Sequence, residues 1–309
     1  MCKYIPQGVT LIEPFVGQGD LLSLFPNHNW ETYDIQDLGN NIIQNTLLNP
    51  PFYSGKWVIT NPPYLAKNKA TDKSIFSKYN VDDLYKAALI SLLDCEGGIL
   101  IIPMNFFTDE RTGKVRKKFF ERFDICEINF FSEPVFESTT YSVCSFAFKK
   151  KKQKNVSSQK IPVNVFPQNK RTEIEFSSKS DYQLGGDFYL SLRKAKNIFS
   201  RLVGSSSSDF ITNIKLYALD TRSERIRVEI NSNHYCGKDS DRTYATLVCK
   251  KELSIEQQEK LVVEFNKRLE QFRMAYLDLC LTNYRDFNRK RIGFTFAYQL
   301  MSKIYEELF

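Results

Sequence analysis

The run Lys56-Trp57-Val58-Ile59-Thr60 has the composition of a β-strand and leads straight into Asn61-Pro62-Pro63-Tyr64. Two successive prolines remove two backbone donors, and Pro63 pushes the residue before it into extended geometry. The strand must therefore stop here. The carbonyl of Pro62 is left facing outward with no ladder to claim it. Beside it stand the side-chain amide of Asn61 and the flat ring of Tyr64. Together they can accept hydrogen bonds from a planar amino group and stack on the ring that carries it. An ordinary turn is the other reading of the same four residues, and the flanking sequence has to decide between them.

That sequence alternates short apolar runs with helical stretches. Val9–Ile12, Trp30–Ile35, Trp57–Ile59, Ile99–Pro103, Ile125–Phe131 and Val143–Phe148 read as strands. Leu21–Phe25, Leu84–Leu93 and a basic amphipathic stretch at 112–123 read as helices, with Gly97-Gly98 stopping the second of them. Strand–helix alternation predicts an α/β fold with a doubly wound, Rossmann-like sheet. The run Lys149–Lys154 interrupts the pattern and predicts a boundary. Beyond it lie short strands at Ile161–Phe166 and Ile214–Leu219, a Gly204–Ser208 loop, and long helices at Ile255–Cys280 and Phe294–Leu308. The expected division is a domain at 1–150, a smaller mixed region at 151–290, and a C-terminal helix within 291–309.

Charge follows the same division. Residues 1–148 hold 13 Lys/Arg and 17 Asp/Glu, a net −4, while residues 149–309 hold 30 and 19, a net +11, which together give the +7 of the chain. A near-neutral half joined to a basic half suggests a chemistry module attached to a polyanion-binding one. The seven cysteines contain no Cys-x-x-Cys pair and there are only two histidines. Zinc binding and a disulfide framework are not expected, and the cysteines read as buried apolar residues of a reducing compartment. No secretory signal or 18-residue apolar run is present, so a soluble protein of the cytoplasm is expected, with no membrane partner.

The first strand leads into Glu13-Pro14-Phe15-Val16-Gly17-Gln18-Gly19-Asp20. Glycines at Gly17 and Gly19 let the backbone approach a ligand in the crevice at strand C-termini. The third glycine of the dinucleotide fingerprint is missing, which counts against NAD. Glu13 could face the cationic amino group of an amino-acid-like cofactor. Asp34, about 20 residues on and ending the second strand, could hold both ribose hydroxyls.

With these residues in place, the chain resembles the S-adenosylmethionine-dependent amino-methyltransferases, specifically the DNA adenine-N6 group. Glu13–Asp20 matches the first glycine motif, Asp34 the acidic ribose motif, and Asn61–Tyr64 the catalytic motif. Asn45-Thr46-Leu47-Leu48 is similar to an Asp-Phe-Leu segment, with Asn45 in place of the aspartate. Asp83–Ala88, Gly97–Phe106 and Phe119–Ile128 follow in order. Glu133–Phe136 and then Tyr141–Lys149 resemble the segment whose aromatic packs on the flipped base. The likeness spans residues 8–150 and has the gamma order of motifs.

The resemblance implies S-adenosylmethionine as cofactor, contacted by Glu13, Phe15, Gly17, Gly19, Asp34, Ile35, Asn45, Thr46 and Asn61. It implies catalysis at Asn61, Pro62, Pro63 and Tyr64, with Phe136 or nearby Tyr141 on the base. The partner would be double-stranded DNA, and a cognate restriction endonuclease would place the protein in a restriction–modification pair of a bacterial or virus-infected cell. The basic second half would find the target, through segments such as Thr221–Arg227 and Asn283–Arg291. Only twelve residues precede Glu13, fewer than the family's leading segment. The helix ending at Phe309 is therefore expected to take that place, with Phe294 or Phe296 beside the cofactor. Other readings stay open on the residues alone. One is transfer to an RNA adenine, a cytosine N4 or a protein glutamine. The other is a non-catalytic specificity subunit that keeps the fold.

Overall fold

Strands buried on both faces read as unbroken apolar runs, and the first half of the chain supplies them in close succession. The computed structural model describes residues 1–136, 142–152, 157–204, 209–283 and 289–309. Tyr141, the end of the lysine run at 153 and 154, the serines at 205–208 and residues 284–288 of the Asn283–Arg291 segment lie outside the described residues. Two compact units are present, Met1–Gln183 and Leu184–Phe309.

The first unit contains β1 (Thr10–Glu13), β2 (Asn29–Asp34), β3 (Ile42–Ile43), β4 (Trp57–Thr60), α1 (Ser74–Tyr79), α2 (Leu84–Ser91) and β5 (Gly97–Pro103). There follow α3 (Asn105–Thr108), α4 (Gly113–Arg122), β6 (Phe123–Phe131), β7 (Val143–Lys150), β8 (Ser158–Phe166) and β9 (Lys170–Ser177). One nine-stranded sheet takes the order β3-β2-β1-β4-β5-β7-β6-β8-β9. The strands β3, β2, β1, β4 and β5 are parallel. β7 is antiparallel to both its neighbours. This is the expected α/β, Rossmann-like architecture. Strand order reverses between β1 and β4, which opens a ligand crevice at their carboxyl ends.

Gly97 and Gly98 open β5 rather than merely closing the helix before them. A β-carbon on Gly98 would sit 1.8 Å from the Val58 carbonyl oxygen, and one on Gly97 would sit 2.6 Å from that of Phe148. Only a strand without side chains at this end fits between β4 and β7. Phenylalanines from α3, α4, β6 and β7 fill the space beside it. Phe106 stacks on Phe146, and Phe119 meets Phe148 edge-on with centroids 5.0 Å apart. Arg116 is buried among them, donating to the carbonyls of Phe106, Asp109 and Asp181.

Three boundaries differ from expectation. The sheet does not end at Lys150. Alternating Ile161, Val163 and Val165 of β8, with Ile174 and Phe176 of β9, are buried and extend it, so the first unit runs to Gln183. The helix expected at Leu21–Phe25 is a 3-10 turn over Leu22–Leu24. The helix expected to reach Cys280 stops at Ala275.

The second unit comprises α5 (Gly186–Arg193), β10 (Phe199–Arg201), β11 (Phe210–Tyr217), β12 (Arg227–Ile230), β13 (Tyr244–Cys249), α6 (Ile255–Ala275), β14 (Thr282–Asn283), β15 (Lys290–Arg291) and α7 (Phe294–Leu308). An antiparallel sheet runs β10-β13-β11-β12. Helix α6 starts with a capping box between Ser254 and Gln257 and buries Leu261, Phe265, Leu269 and Phe272, spaced as one helical stripe. Helix α7 packs on α5, α6 and β10. Its Phe296 is buried against Phe188, Tyr189 and Phe272, so this ring belongs to the second unit's core and is not free to flank a cofactor. Phe294 lies under the guanidinium of Arg201. Cys95, Cys144, Cys249 and Cys280 are buried as expected, while Cys2 and Cys236 are exposed. Among the described residues no helix is long and apolar enough to cross a membrane.

Gly98→Ala should destabilise the protein by about 3 kcal/mol, at the upper end for overpacking, because the clash is with backbone that cannot turn away. Urea unfolding would show a lower midpoint, and an unchanged midpoint would contradict the packing described.

Candidate active site at the carboxyl edge of the sheet

Parallel pairing sets Leu11 beside Trp57 and Ile12 beside Val58. The two strands end at Glu13 and Thr60, whose side chains meet at the switch point. The Glu13 carboxylate is 1% exposed. Its Oε1 accepts the Thr60 hydroxyl and the Phe15 N–H. Its Oε2 is buried with no partner. Burial pushes the Glu13 pKa up to about 8; the bonds from Thr60 and Phe15 oppose this, and the charge of Asp34 adds to it. A buried carboxyl with one vacant oxygen is suited to receive a cation.

The glycine turn and the end of β2 are joined by Asp34, whose Oδ2 accepts Gly17 N–H at 3.0 Å and whose Oδ1 accepts Gln36 N–H at 3.1 Å. Gly17 and Gly19 have φ of +50° and +79°, a left-handed turn that favours glycine. Open space lies where a Gly17 side chain would be. Ile35, just beyond, is 66% exposed and can meet an apolar ring. Thr46 is buried and donates to the Pro14 carbonyl at 3.0 Å, which ties its loop to the first motif. Asn45 behaves differently from expectation. Its Oδ1 accepts both Leu47 N–H and Leu48 N–H, so both lone pairs of that oxygen cap its own turn. Helix α1 holds the same loop through Lys78 and Tyr79, which donate to the Leu47 carbonyl.

Asn61-Pro62-Pro63-Tyr64 leaves β4 one residue after Thr60. Asn61 and Tyr64 are half-buried, Pro62 is buried and Pro63 exposed. Among the described residues no donor reaches the Pro62 carbonyl. The Tyr64 hydroxyl touches two oxygens, Asn61 Oδ1 and the Ile101 carbonyl of β5, the latter at 2.7 Å. A hydroxyl has one proton, and a carbonyl can only accept. The arrangement that satisfies every atom gives the proton to Ile101 and turns the Asn61 NH2 towards Tyr64, since amide orientation is set by the network around it. The Asn61 oxygen then faces away from Tyr64 as an acceptor. The ring of Tyr64 meets Tyr85 edge-on at 6.4 Å, and burial drives its own ionisation far upward.

Phe136 is half-buried in the β6–β7 connection. Pro103 pairs with Val143, and Phe130 with Cys144. That connection thus lies at the same edge as the ends of β1, β4 and β5. Among the described residues Phe136 has no ring partner. Sequence reasoning missed Thr60, Ile101 and Tyr85. Thr60 was accessible by pairing the last residues of β1 and β4, whereas the other two required the fold.

The sequence pattern of the N-6 DNA methylase family matches residues 27–219, which include Asp34, the Asn-Pro-Pro-Tyr motif and Phe136. The chain belongs to this family. Among solved structures, a Listeria monocytogenes protein assigned as a class I S-adenosylmethionine-dependent methyltransferase is 15% identical over 52% of this chain and 59% of its own, with a TM-score of 0.41. The type I restriction enzyme EcoKI M protein is 13% identical over 51% and 44%, with a TM-score of 0.41. The type I restriction–modification methyltransferase subunit of Streptococcus thermophilus is 17% identical over 53% and 43%, with a TM-score of 0.38. The chain thus spans about half the length of these proteins. No curated protein sequence matches it.

Glu13 makes the free protein sensitive to pH. Its folded pKa of about 8 lies above the ordinary 4.5, so its contribution is fully present below 4.5 and is lost as pH rises through 8. Unfolding free energies at pH 5 and pH 9, from urea titrations, should differ more in the native protein than in Glu13→Gln, by an amount on the order of a few kcal/mol. Equal gaps in the two proteins would contradict the burial assigned to this carboxyl.

Proposed function

We propose that the chain transfers a methyl group from S-adenosylmethionine to the N6 amino group of an adenine turned out of double-stranded DNA, as the modification component of a restriction–modification system. The observation that carries this reading is the convergence of Glu13, Thr60 and Asn61–Tyr64 at the switch point of a sheet whose chain belongs to the N-6 DNA methylase family.

The residues fit the cofactor. The vacant oxygen of Glu13 suits the ammonium of its methionine part, Asp34 can accept from ribose hydroxyls, and Ile35 with Phe15 can border its adenine. When bound, the sulfonium supplies the electrophilic methyl. What the protein must do is position and polarise. The lone pair of an aromatic amine is delocalised into its ring, which makes it a poor nucleophile. Hydrogen bonds from that amine to Asn61 Oδ1 and to the Pro62 carbonyl favour a pyramidal nitrogen with its lone pair free for the methyl. The same acceptors stabilise the positive charge that develops as the bond forms. Turning a base out of the duplex costs roughly a few kcal/mol. Stacking on Tyr64, with Phe136 at the same edge, offsets this at about 1–3 kcal/mol per ring.

Labelled methyl transfer to unmethylated duplex DNA tests the reading, with base-resolved sequencing to locate the product. Asn61→Ala should lower kcat on the order of a hundredfold. Label in protein, RNA or cytosine would transfer the reading to that substrate. A second measurement isolates the Tyr64 hydroxyl. Tyr64→Phe keeps the ring and loses the contact that turns Asn61, so kcat should fall about tenfold, the worth of one hydrogen bond. Base extrusion, followed with 2-aminopurine in the target position, should persist. Full kcat in Tyr64→Phe would show that Asn61 is oriented by something else.

A further inference from the structure

The loop that leaves the catalytic motif is basic, in a half that is acidic on balance. Residues 65–80 hold four lysines and one aspartate, 4 − 1 = +3, within a half whose net charge is −4. Lys67, Lys69 and Lys73 are exposed and, among the described residues, pair with no carboxylate. The single acid, Asp72, is turned to Ser74, accepting from its N–H and its hydroxyl at 2.8 Å each, and those bonds lower its pKa.

The loop is also held in place. Leu65 N–H donates to Asp83 Oδ1 at 3.2 Å, Lys67 N–H to the Asp82 carbonyl at 2.8 Å, and Leu84 N–H to the Leu65 carbonyl at 3.1 Å. A 3-10 turn over Lys67–Lys69 then fixes the spacing of two of the lysines. The loop's backbone is thus anchored at the start of α2 while its charges face solvent. Two arginines of the second unit are arranged the opposite way. Arg225 is paired with Glu270 and Asp278, and Arg227 with Glu224 and Glu229. Those were expected to contact the target, yet their charges are already balanced by neighbours.

We infer that Lys67, Lys69 and Lys73 form a phosphate clamp for duplex DNA on either side of the base held at Tyr64. The inference rests on the proposed function for its partner. Chain length limits the geometry: three residues of extended chain span at most about 11 Å and five about 18 Å. Lys67 and Lys69 therefore stay within reach of phosphates flanking a nucleotide stacked on Tyr64, and Lys73 can take one further along. Duplex DNA carries a charge every 1.7 Å or so of its axis, so unpaired lysines this close to the site meet phosphate whichever sequence is bound. The contacts position the duplex and carry no base information.

Salt dependence of binding reads this directly. Each phosphate contact adds about 0.9 to the slope of log K against log salt. The triple variant Lys67→Ala, Lys69→Ala, Lys73→Ala should bind a labelled duplex with a slope shallower by about 2 to 3, with unchanged affinity for S-adenosylmethionine and unchanged melting temperature. A matching triple variant of the exposed α4 lysines, Lys114→Ala, Lys117→Ala, Lys118→Ala, should keep the native slope. A slope equal to that of the native protein in the first variant, or an equal loss in both, overturns the clamp while leaving the proposed activity standing. Lysine-dependent binding of duplex RNA with none of duplex DNA overturns the assigned partner. A native protein that binds no DNA overturns the function and the clamp with it.

Discussion

The parallel pairing of β1 with β4 governs everything at the carboxyl edge of the sheet. It brings two strands separated by 46 residues of sequence, from Leu11 to Trp57, into register. The last residues of the two strands then share a buried contact, Glu13 with Thr60. Because β2 and β3 continue to one side and β5 to the other, the chain diverges at this pair and leaves a crevice that no helix connection crosses. The glycine turn enters that crevice from one strand and the Pro-Pro turn from the other. A shift of register would move the two strand ends apart along the sheet and separate the two motifs.

Hydrogen-bond satisfaction then sets the chemistry of each side chain. At the first motif, Glu13 has more carboxylate than the protein can use, and its pKa is high because the remaining oxygen is buried without a donor. At the second, the Tyr64 hydroxyl meets two acceptor oxygens with one proton, which favours an Asn61 amide with its NH2 towards Tyr64. The two sites are alike in presenting oxygen acceptors to a donor-bearing ligand. Asn45 shows a different case, where the oxygen of a side chain matched to a ligand contact by sequence already accepts from its own backbone.

Electrostatic role follows local pairing rather than regional composition. The second half of the chain holds the excess of basic residues, yet Arg225, Arg227 and Arg273 form a network with Asp220, Glu224, Glu229, Glu270 and Asp278. The near-neutral first half contains the cluster at Lys67, Lys69 and Lys73 that no carboxylate meets. Net charge by segment does not say which basic residues are paired, because an ion pair forms at a few ångströms, a distance that sequence separation does not measure.

The sequence by itself determined the strands β1, β2, β4, β5, β6 and β7, the Rossmann-like class and the two turns that meet at the site. Those features depend on local physics: apolar runs, glycines that can take positive φ, and prolines that lack donors. Tertiary structure alone decided that β8 and β9 extend the first sheet to Gln183, that Phe296 belongs to the second unit's core, and that Tyr64 reaches across to Ile101 of β5. It also decided which charges are balanced and which remain available. Such outcomes depend on which distant atoms come within hydrogen-bonding or van der Waals contact. The Asn-Pro-Pro-Tyr motif was legible because two prolines dictate a break wherever they stand, whereas the orientation of its amide depended on a carbonyl forty residues away.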